Sequence, residues 1–373
     1  MTSLQQIYEV GQYIDTNALG YSARVARATH WVSGQDVALK VLRLEHLQDA
    51  KVWKQFAIES YLLDMLRDTS PIVKIVDYGY ISDLDHEIPS DGEIISCNGQ
   101  LKQFGQEMQS RMSGGWRPYI ALELLPAENN LLNLARGADG DGRRPLRLPT
   151  EEGLSLAMQF CEFLLTAHAR EVVYWDHKPE HIYWDGSRLR LIDLNVSRFL
   201  TPDLSGRVKA AEKTKDLRYM LMGALYTAFT GRDFRFQHQA PPPPPSSPHT
   251  VEHRFNGLSH LDFSMEEALL PGLGELINET LKPESKITVE NFLDRLRQLA
   301  ATMGWDAGYP VSEEARAARR EIQQGLSALR QAQENLSKAR QHFLSARALN
   351  PADPESERLY REAGEFYQRR VLP

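Results

Sequence analysis

Between Ile7 and Leu44 short apolar runs alternate with polar breaks: Ser22-Ala-Arg-Val-Ala-Arg-Ala, then Ser33-Gly-Gln-Asp, then Val37-Ala-Leu-Lys-Val-Leu. A period of two broken by turn residues predicts two or three antiparallel strands. Over residues 50–67 the spacing becomes helical, with Phe56, Tyr61, Leu62 and Leu66 as the apolar positions, and Ile72-Val-Lys-Ile-Val-Asp-Tyr-Gly-Tyr returns to a strand. A polar stretch over 82–116 then precedes another strand, Tyr119-Ile-Ala-Leu-Glu-Leu-Leu. That stretch is long enough to be an insertion.

From Leu131 onward the pattern is mainly helical. Residues 151–170 carry Leu154, Ala157, Phe160, Leu164 and Leu165 on one face, and 215–230 is so apolar that a buried helix is expected. Between them, 181–184 and 189–192 read as a hairpin around the Asp185-Gly186 turn. Residues 240–248, Ala-Pro-Pro-Pro-Pro-Pro-Ser-Ser-Pro, predict an extended polyproline loop at the surface. Two helices follow within 269–303. Beyond Tyr309-Pro310, Ile322, Leu329, Leu336 and Phe343 recur every seven residues, with Gly325, Ala332, Ala339 and Ala346 three places on, a narrow helix-packing seam. Leu349-Asn-Pro-Ala-Asp-Pro stops this helix before another over 355–370. With Ala346, Leu349 and Pro351 so placed, the pair over 311–373 resembles one tetratricopeptide unit, which implies packing against the main domain or a protein partner.

Composition narrows the class. The 373 residues are 42% hydrophobic and 25% charged, ordinary globular usage that excludes a mostly disordered or collagen-like chain. Lys plus Arg number 43 against 50 Asp plus Glu, a net charge of −7, so nucleic acid is not an expected partner. Cys97 and Cys161 are far apart, which indicates neither a disulfide framework nor a thiolate metal site. No apolar run approaches the roughly 18–20 residues of a membrane span, and the opening Met-Thr-Ser-Leu-Gln-Gln lacks the basic and apolar regions of a secretion signal. A cytoplasmic protein without a membrane partner is expected.

Four separated segments carry candidate chemistry. Val37-Ala-Leu-Lys40 ends the third predicted strand, and Glu59 follows on the predicted helix. Tyr174-Trp-Asp-His-Lys-Pro-Glu-His181 places two carboxylates, a lysine and two histidines in one loop, and Leu191-Ile-Asp193-Leu-Asn195 follows the hairpin. In order and spacing these resemble the V-A-I-K, helix glutamate, H-R-D-L-K-P-E-N and D-F-G segments of the protein kinase family. The resemblance covers roughly Tyr8 to Met303. It implies an α+β, two-lobed fold: residues 7–125 as a small antiparallel β lobe with one main helix and the 82–116 insertion, and 126–303 as a larger helical lobe, followed by the 311–373 helical hairpin.

It also implies ATP as cofactor with Mg²⁺ or Mn²⁺. Lys40 would hold the phosphates and pair with Glu59, while Gly20, Val25, Ala38, Glu123 and Leu125 would line the nucleotide, with Leu122, Glu123 and Leu125 as the adenine-side linker between the lobes. Asp176 would accept the proton of an attacking Ser/Thr hydroxyl, Lys178 would neutralise the transferring phosphoryl group, and Asp193 with His181 would hold metal. Asp216 is the candidate helix aspartate that braces the catalytic loop, and Tyr174 with Leu194 the candidate apolar stack between the lobes.

The chain departs from the family at several places. Ala18-Leu-Gly20-Tyr-Ser-Ala23-Arg-Val25 stands on the glycine-rich loop with only the central glycine kept, which restricts backbone approach to phosphate. His181 replaces a metal-binding asparagine, which weakens a Mg²⁺ position or biases it towards Mn²⁺. Trp175 replaces the arginine that grips a phosphorylated loop, and no A-P-E follows within the short segment after Asp193, so no activation by phosphorylation at Thr201 or Ser205 is expected. Three functions follow: a Ser/Thr phosphotransferase acting on a protein substrate, a pseudokinase scaffold or nucleotide sensor, or a kinase-fold transferase that uses another acceptor or transfers AMP. Pro179 prevents the helix that would align His177 with His181 as a zinc pair. His249 and His253 read as solvated histidines and Cys161 as a small core residue.

Overall fold

The structure is a computed structural model and describes residues 2–14, 22–89, 91–97, 101–135, 147–232, 259–264, 269–305, 313–349 and 354–371. Gly20, the 240–248 segment, His249, His253 and the side chains of Ile322 and Leu329 lie outside what it describes.

The first part of the chain builds one seven-stranded antiparallel sheet from β1 (Thr2–Ser3), β2 (Tyr8–Tyr13), β3 (Ala23–His30), β4 (Asp36–Leu42), β5 (Ile75–Ile81), β6 (Glu93–Ser96) and β7 (Arg117–Glu123), in the order β1-β6-β5-β7-β4-β3-β2. Register shifts in β2 and β5 bend it. Strand β4 shows why the alternation matters. Val37, Leu39 and Val41 pack with Tyr119, Ala121 and Leu4 on one face, under the short helix α1 (Leu4–Ile7), while Leu42 joins Ile120 and Leu122 in the larger core on the other. Lys40 shares that second face through the period of two.

Helix α2 (Ala50–Met65) lies on this second face, buried through Val52, Phe56, Leu62 and Leu63. Asp49 caps it by accepting from the Lys51 N–H at 2.9 Å and the Val52 N–H at 3.4 Å. The polar stretch 82–116, expected as an insertion, supplies the edge strand β6 and a thirteen-residue helix, α3 (Leu101–Ser113), that packs on α2. Leu101, Phe104 and Met108 form a narrow buried stripe there, which the polar composition concealed. Arg117, fully buried, anchors the preceding loop by donating to the carbonyls of Leu42, His86 and Glu87.

The rest is mainly helical. Helices α4 (Leu131–Ala135), α5 (Thr150–Ala169), α6 (Gly206–Met220), a π-helical turn (Leu221–Leu225), α7 (Tyr226–Thr230), α8 (Leu273–Leu281) and α9 (Val289–Thr302) surround two small ribbons. One ribbon pairs β9 (Ile182–Trp184) with β10 (Leu189–Leu191), the other β8 (Val172–Val173) with β11 (Arg198–Phe199). The apolar helix expected over 215–230 begins earlier, because Ser205 accepts from the Val208 N–H and caps Gly206. Helices α10 (Glu313–Leu349) and α11 (Pro354–Val371) pack on one another, with Arg347 pairing Glu357 at 2.7 Å and Leu336 and Phe343 half-buried. The class is therefore α+β, a curled antiparallel sheet with helices. Among the described residues no helix is long and apolar enough to cross a membrane.

Candidate active site

The site forms where the sheet meets the helical part. Lys40 projects from β4 towards α2, where Glu59 sits one turn from buried Leu62 and Leu63. Its Nζ lies 2.8 Å from both Glu59 oxygens and 2.8 Å from Asp193 Oδ1, so it joins groups 19 and 153 residues away. Lys40 is 7% exposed and Glu59 0%. Burial alone would lower the ammonium, but the Asp193 and Glu59 carboxylates outweigh it and hold Lys40 above its usual range.

Asp193 follows β10 in the left-handed region, φ 61°, where a non-glycine residue is held only by its surroundings. The Ile192 N–H donates to His181 O at 3.1 Å, and Tyr174 Oη donates to Ile192 O at 2.9 Å, tying the two loops together. Leu194 behind them is fully buried.

The 174–181 loop is organised around Asp216 on α6. This carboxylate, 0% exposed, accepts from the Tyr174 N–H at 2.9 Å and the Trp175 N–H at 2.8 Å, and lies 2.6 Å from His177 Nε2 and 2.9 Å from His168 Nε2. These contacts stabilise Trp175 at φ 64°. Asp216 was legible as a bracing residue, but His168 from α5 and Gly223 were not. A Cβ on Gly223 would overlap the carbonyl oxygen of His177, so the π-helical turn can press on the loop only with glycine there. No sequence signal marks His168, a lone histidine in an apolar helix. His177 is committed to Asp216 and does not pair with His181 as a metal ligand.

Burial alone would raise the Asp216 carboxyl, but His177 and the hydrogen bonds from His168 and His177 hold it well below the usual carboxylate range. A depressed folded value contributes stability that is present above the unfolded value of about 4 and is lost as pH falls through the folded value. We therefore expect Asp216→Asn to cost about 2 kcal/mol at neutral pH and to flatten the acid limb below about pH 4. Urea unfolding at several pH values reads this, and an unchanged acid slope in the variant would refute it.

Asp176, His181 and Asp193 converge in front of Lys40, with one ligand atom from each lying within 4.8 Å of the others. His181 Nδ1 is 3.1 Å from Asp176 Oδ2, and its Nε2 is 3.4 Å from Asp193 Oδ2. Lys178 Nζ also reaches Asp176 Oδ2, at 3.1 Å. Burial would raise the Asp176 carboxyl, but Lys178 and His181 hold it well below its usual range. Burial would lower the His181 ring, and Asp176 outweighs it and raises it. Two carboxylates and an imidazole are a donor set that fits a divalent ion.

The candidate nucleotide residues are placed unequally. Val25 lies opposite Lys40 in the β3–β4 ladder, and Ala38 lies on the Lys40 face of β4, opposite Leu122 of β7. Leu125, just beyond β7, is half-buried. The Glu123 side chain accepts from the Lys74 N–H at 2.8 Å and pairs with Arg190. The Glu123 N–H also donates to Lys74 O at 2.9 Å, so any contact from Glu123 to a ligand would run through its backbone carbonyl. Trp175 is buried with the Arg198 guanidinium 3.9 Å above its ring and Lys215 Nζ at 4.9 Å, a cation–π stack. Comparison with protein-family models and with curated proteins returns no match to this chain.

Proposed function

We propose that the chain is an ATP-dependent phosphotransferase with the two-lobed protein kinase architecture, transferring a phosphoryl group to a Ser/Thr hydroxyl of a protein. The observation that carries this reading is Lys40 held at 2.8 Å between Glu59 and Asp193, with Asp176 beside Asp193 in one cluster. Transfer of a phosphoryl group asks the protein mainly for rigid placement of charge, and the buried Asp216 brace supports that for the catalytic loop.

In this reading Glu59 keeps the Lys40 ammonium aimed into the cleft, and nucleotide phosphate takes the place of Asp193 on Lys40. Asp193 and His181 would hold Mg²⁺ or Mn²⁺, which supplies charge neutralisation on the phosphates. Asp176 orients the acceptor hydroxyl and takes its proton, while Lys178 offsets charge on the phosphoryl oxygens. Val25, Ala38 and Leu125 flank the base, and Glu123 meets it through the backbone. The Trp175 stack with Arg198 and Lys215 supports a segment ordered without phosphorylation.

A second reading, a nucleotide-binding module that does not transfer, is favoured by one observation: Lys178 and His181 both sit on Asp176, which weakens it as a base. The test is transfer of label from γ-labelled ATP, with Mg²⁺ and separately Mn²⁺, to generic protein acceptors, with mass spectrometry of all products. Phosphoserine or phosphothreonine is the expected product. Nucleotide binding without transfer under either metal would replace the first reading with the second.

A further inference from the structure

We propose that helix α3 is a built-in brace that positions Glu59 on Lys40, with Phe104 and Gly105 as its positioning residues. The inference deepens the phosphotransferase reading and rests on it only for the use made of the Lys40–Glu59 pair; the positioning itself follows from the contacts.

A closed ring of contacts carries it. Lys40 lies on β4, which pairs with β7, and β7 pairs with β5. From β5, the fully buried Tyr80 donates its hydroxyl to the Phe104 carbonyl of α3 at 2.6 Å. The Phe104 ring lies 5.0 Å from that of Tyr80 and 5.3 Å from that of Tyr78, so α3 is referenced to the sheet that holds Lys40. The next residue, Gly105, meets α2: a Cβ built there would stand 3.5 Å from the Ala57 carbonyl oxygen, 3.7 Å from the Ala57 Cβ and 3.8 Å from Ser60 Oγ. Ser60 directly follows Glu59, whose carboxylate closes the ring on Lys40.

The helices come this close because the facing surfaces are small. Ser60, fully buried, turns its hydroxyl back to donate to the Ala57 carbonyl at 2.7 Å, so it asks for no partner on α3. On either side of Gly105, Leu101, Phe104 and Met108 enter the same core cluster as Phe56, Leu62 and Leu63 of α2. Ser60 lies about 100° round the helix from Glu59, so the sheet and α3 bear on adjoining sides of α2. Lys54, Ile58 and Tyr61 on the remaining side are exposed. Apolar burial is non-directional, and the sheet face alone leaves α2 free to roll. The second contact removes that freedom, which keeps Glu59 on Lys40 without nucleotide and without a partner protein against that side of α2. A methyl at Gly105 fits at ordinary contact distance, whereas a larger side chain has to drive α3 away from α2.

The experiment uses the full chain without nucleotide, carrying Gly105→Ala, Gly105→Val or Gly105→Phe. Hydrogen exchange read by mass spectrometry should be at least about tenfold faster over α2 in Gly105→Phe, intermediate in Gly105→Val and no faster in Gly105→Ala, with α5 unchanged. Looser packing alone would give that result, so a second measurement asks whether the effect passes through Glu59. Lys40→Met is added to each background and urea unfolding is followed. In wild type and Gly105→Ala it should lower the folding constant by more than about 100-fold. In Gly105→Phe the drop should be at least about tenfold smaller, because Glu59 no longer rests on Lys40. The atoms nearest Gly105 belong to Ala57 and Ser60, not Lys40, so independent contributions would simply add. An equal Lys40→Met effect in all backgrounds, or α2 exchange untouched by Gly105→Phe, overturns the proposal; if Gly105→Phe does not fold, Gly105→Val decides both measurements. Titration with a non-hydrolysable ATP analogue separates the two ideas. The non-additive result in a chain that binds no nucleotide supports the brace and removes the phosphotransferase reading. Nucleotide binding and transfer left unchanged by Gly105→Phe does the reverse.

Discussion

Lys40→Met is expected to destabilise the protein by about 3–5 kcal/mol, the cost of leaving a buried charge without its partner. Glu59 is fully enclosed on α2, and both its oxygens rest on the Lys40 ammonium. Methionine fills much of the same volume, so packing loss is a small part of the effect. The double variant Lys40→Met/Glu59→Leu should recover the part of the loss that comes from Glu59, because well-packed apolar residues replace buried ion pairs at little cost. Asp193, the second partner of the Lys40 ammonium, stays charged in that variant and keeps His181 at 3.4 Å. Chemical denaturation of wild type, both single variants and the double variant closes the cycle. A cost under about 1 kcal/mol for Lys40→Met would mean that the pair behaves like a solvated surface contact, and the enclosed geometry would be wrong.

The second large effect is on catalysis. Asp176→Asn is nearly isosteric and keeps an acceptor for Lys178, but it removes the carboxylate that, in the proposed reading, takes the hydroxyl proton. The expected loss of turnover is roughly 10²–10⁴-fold, with nucleotide affinity changed by less than about threefold because Lys40 and Glu59 are untouched. Single-turnover transfer from labelled ATP and equilibrium nucleotide binding, measured on the same preparations, separate the two quantities. A drop in turnover below about tenfold would assign the proton to another acceptor or to solvent.

Much of the element order was readable because hydrophobic periodicity is local. The alternation in Val37-Ala-Leu-Lys-Val-Leu and the stripe along α5 each state a constraint within a few residues, and a strand and a helix occur there. The exceptions have local causes too. Helix α3 sits in a stretch whose polar side chains outnumber the three that are buried, so its stripe of Leu101, Phe104 and Met108 fell below notice. Helix α6 starts before its apolar stretch because a serine cap and an exposed first turn suffice to begin a helix.

The site divides along the same line. The resemblance of four segments to protein kinase motifs nominated Lys40, Glu59, Asp176, Lys178, His181 and Asp193, and with them Asp216 as a candidate brace. Their partners depend on how distant segments fold onto one another. Lys40 meets Asp193 across 153 residues, His168 and His177 share Asp216, Arg190 occupies Glu123, and Gly223 is required by a carbonyl 46 positions earlier in the chain. Charge and burial act through space with no sequence period. Side-chain identity therefore set which groups were available, and only packing of the sheet against the helices decided which charges they would face.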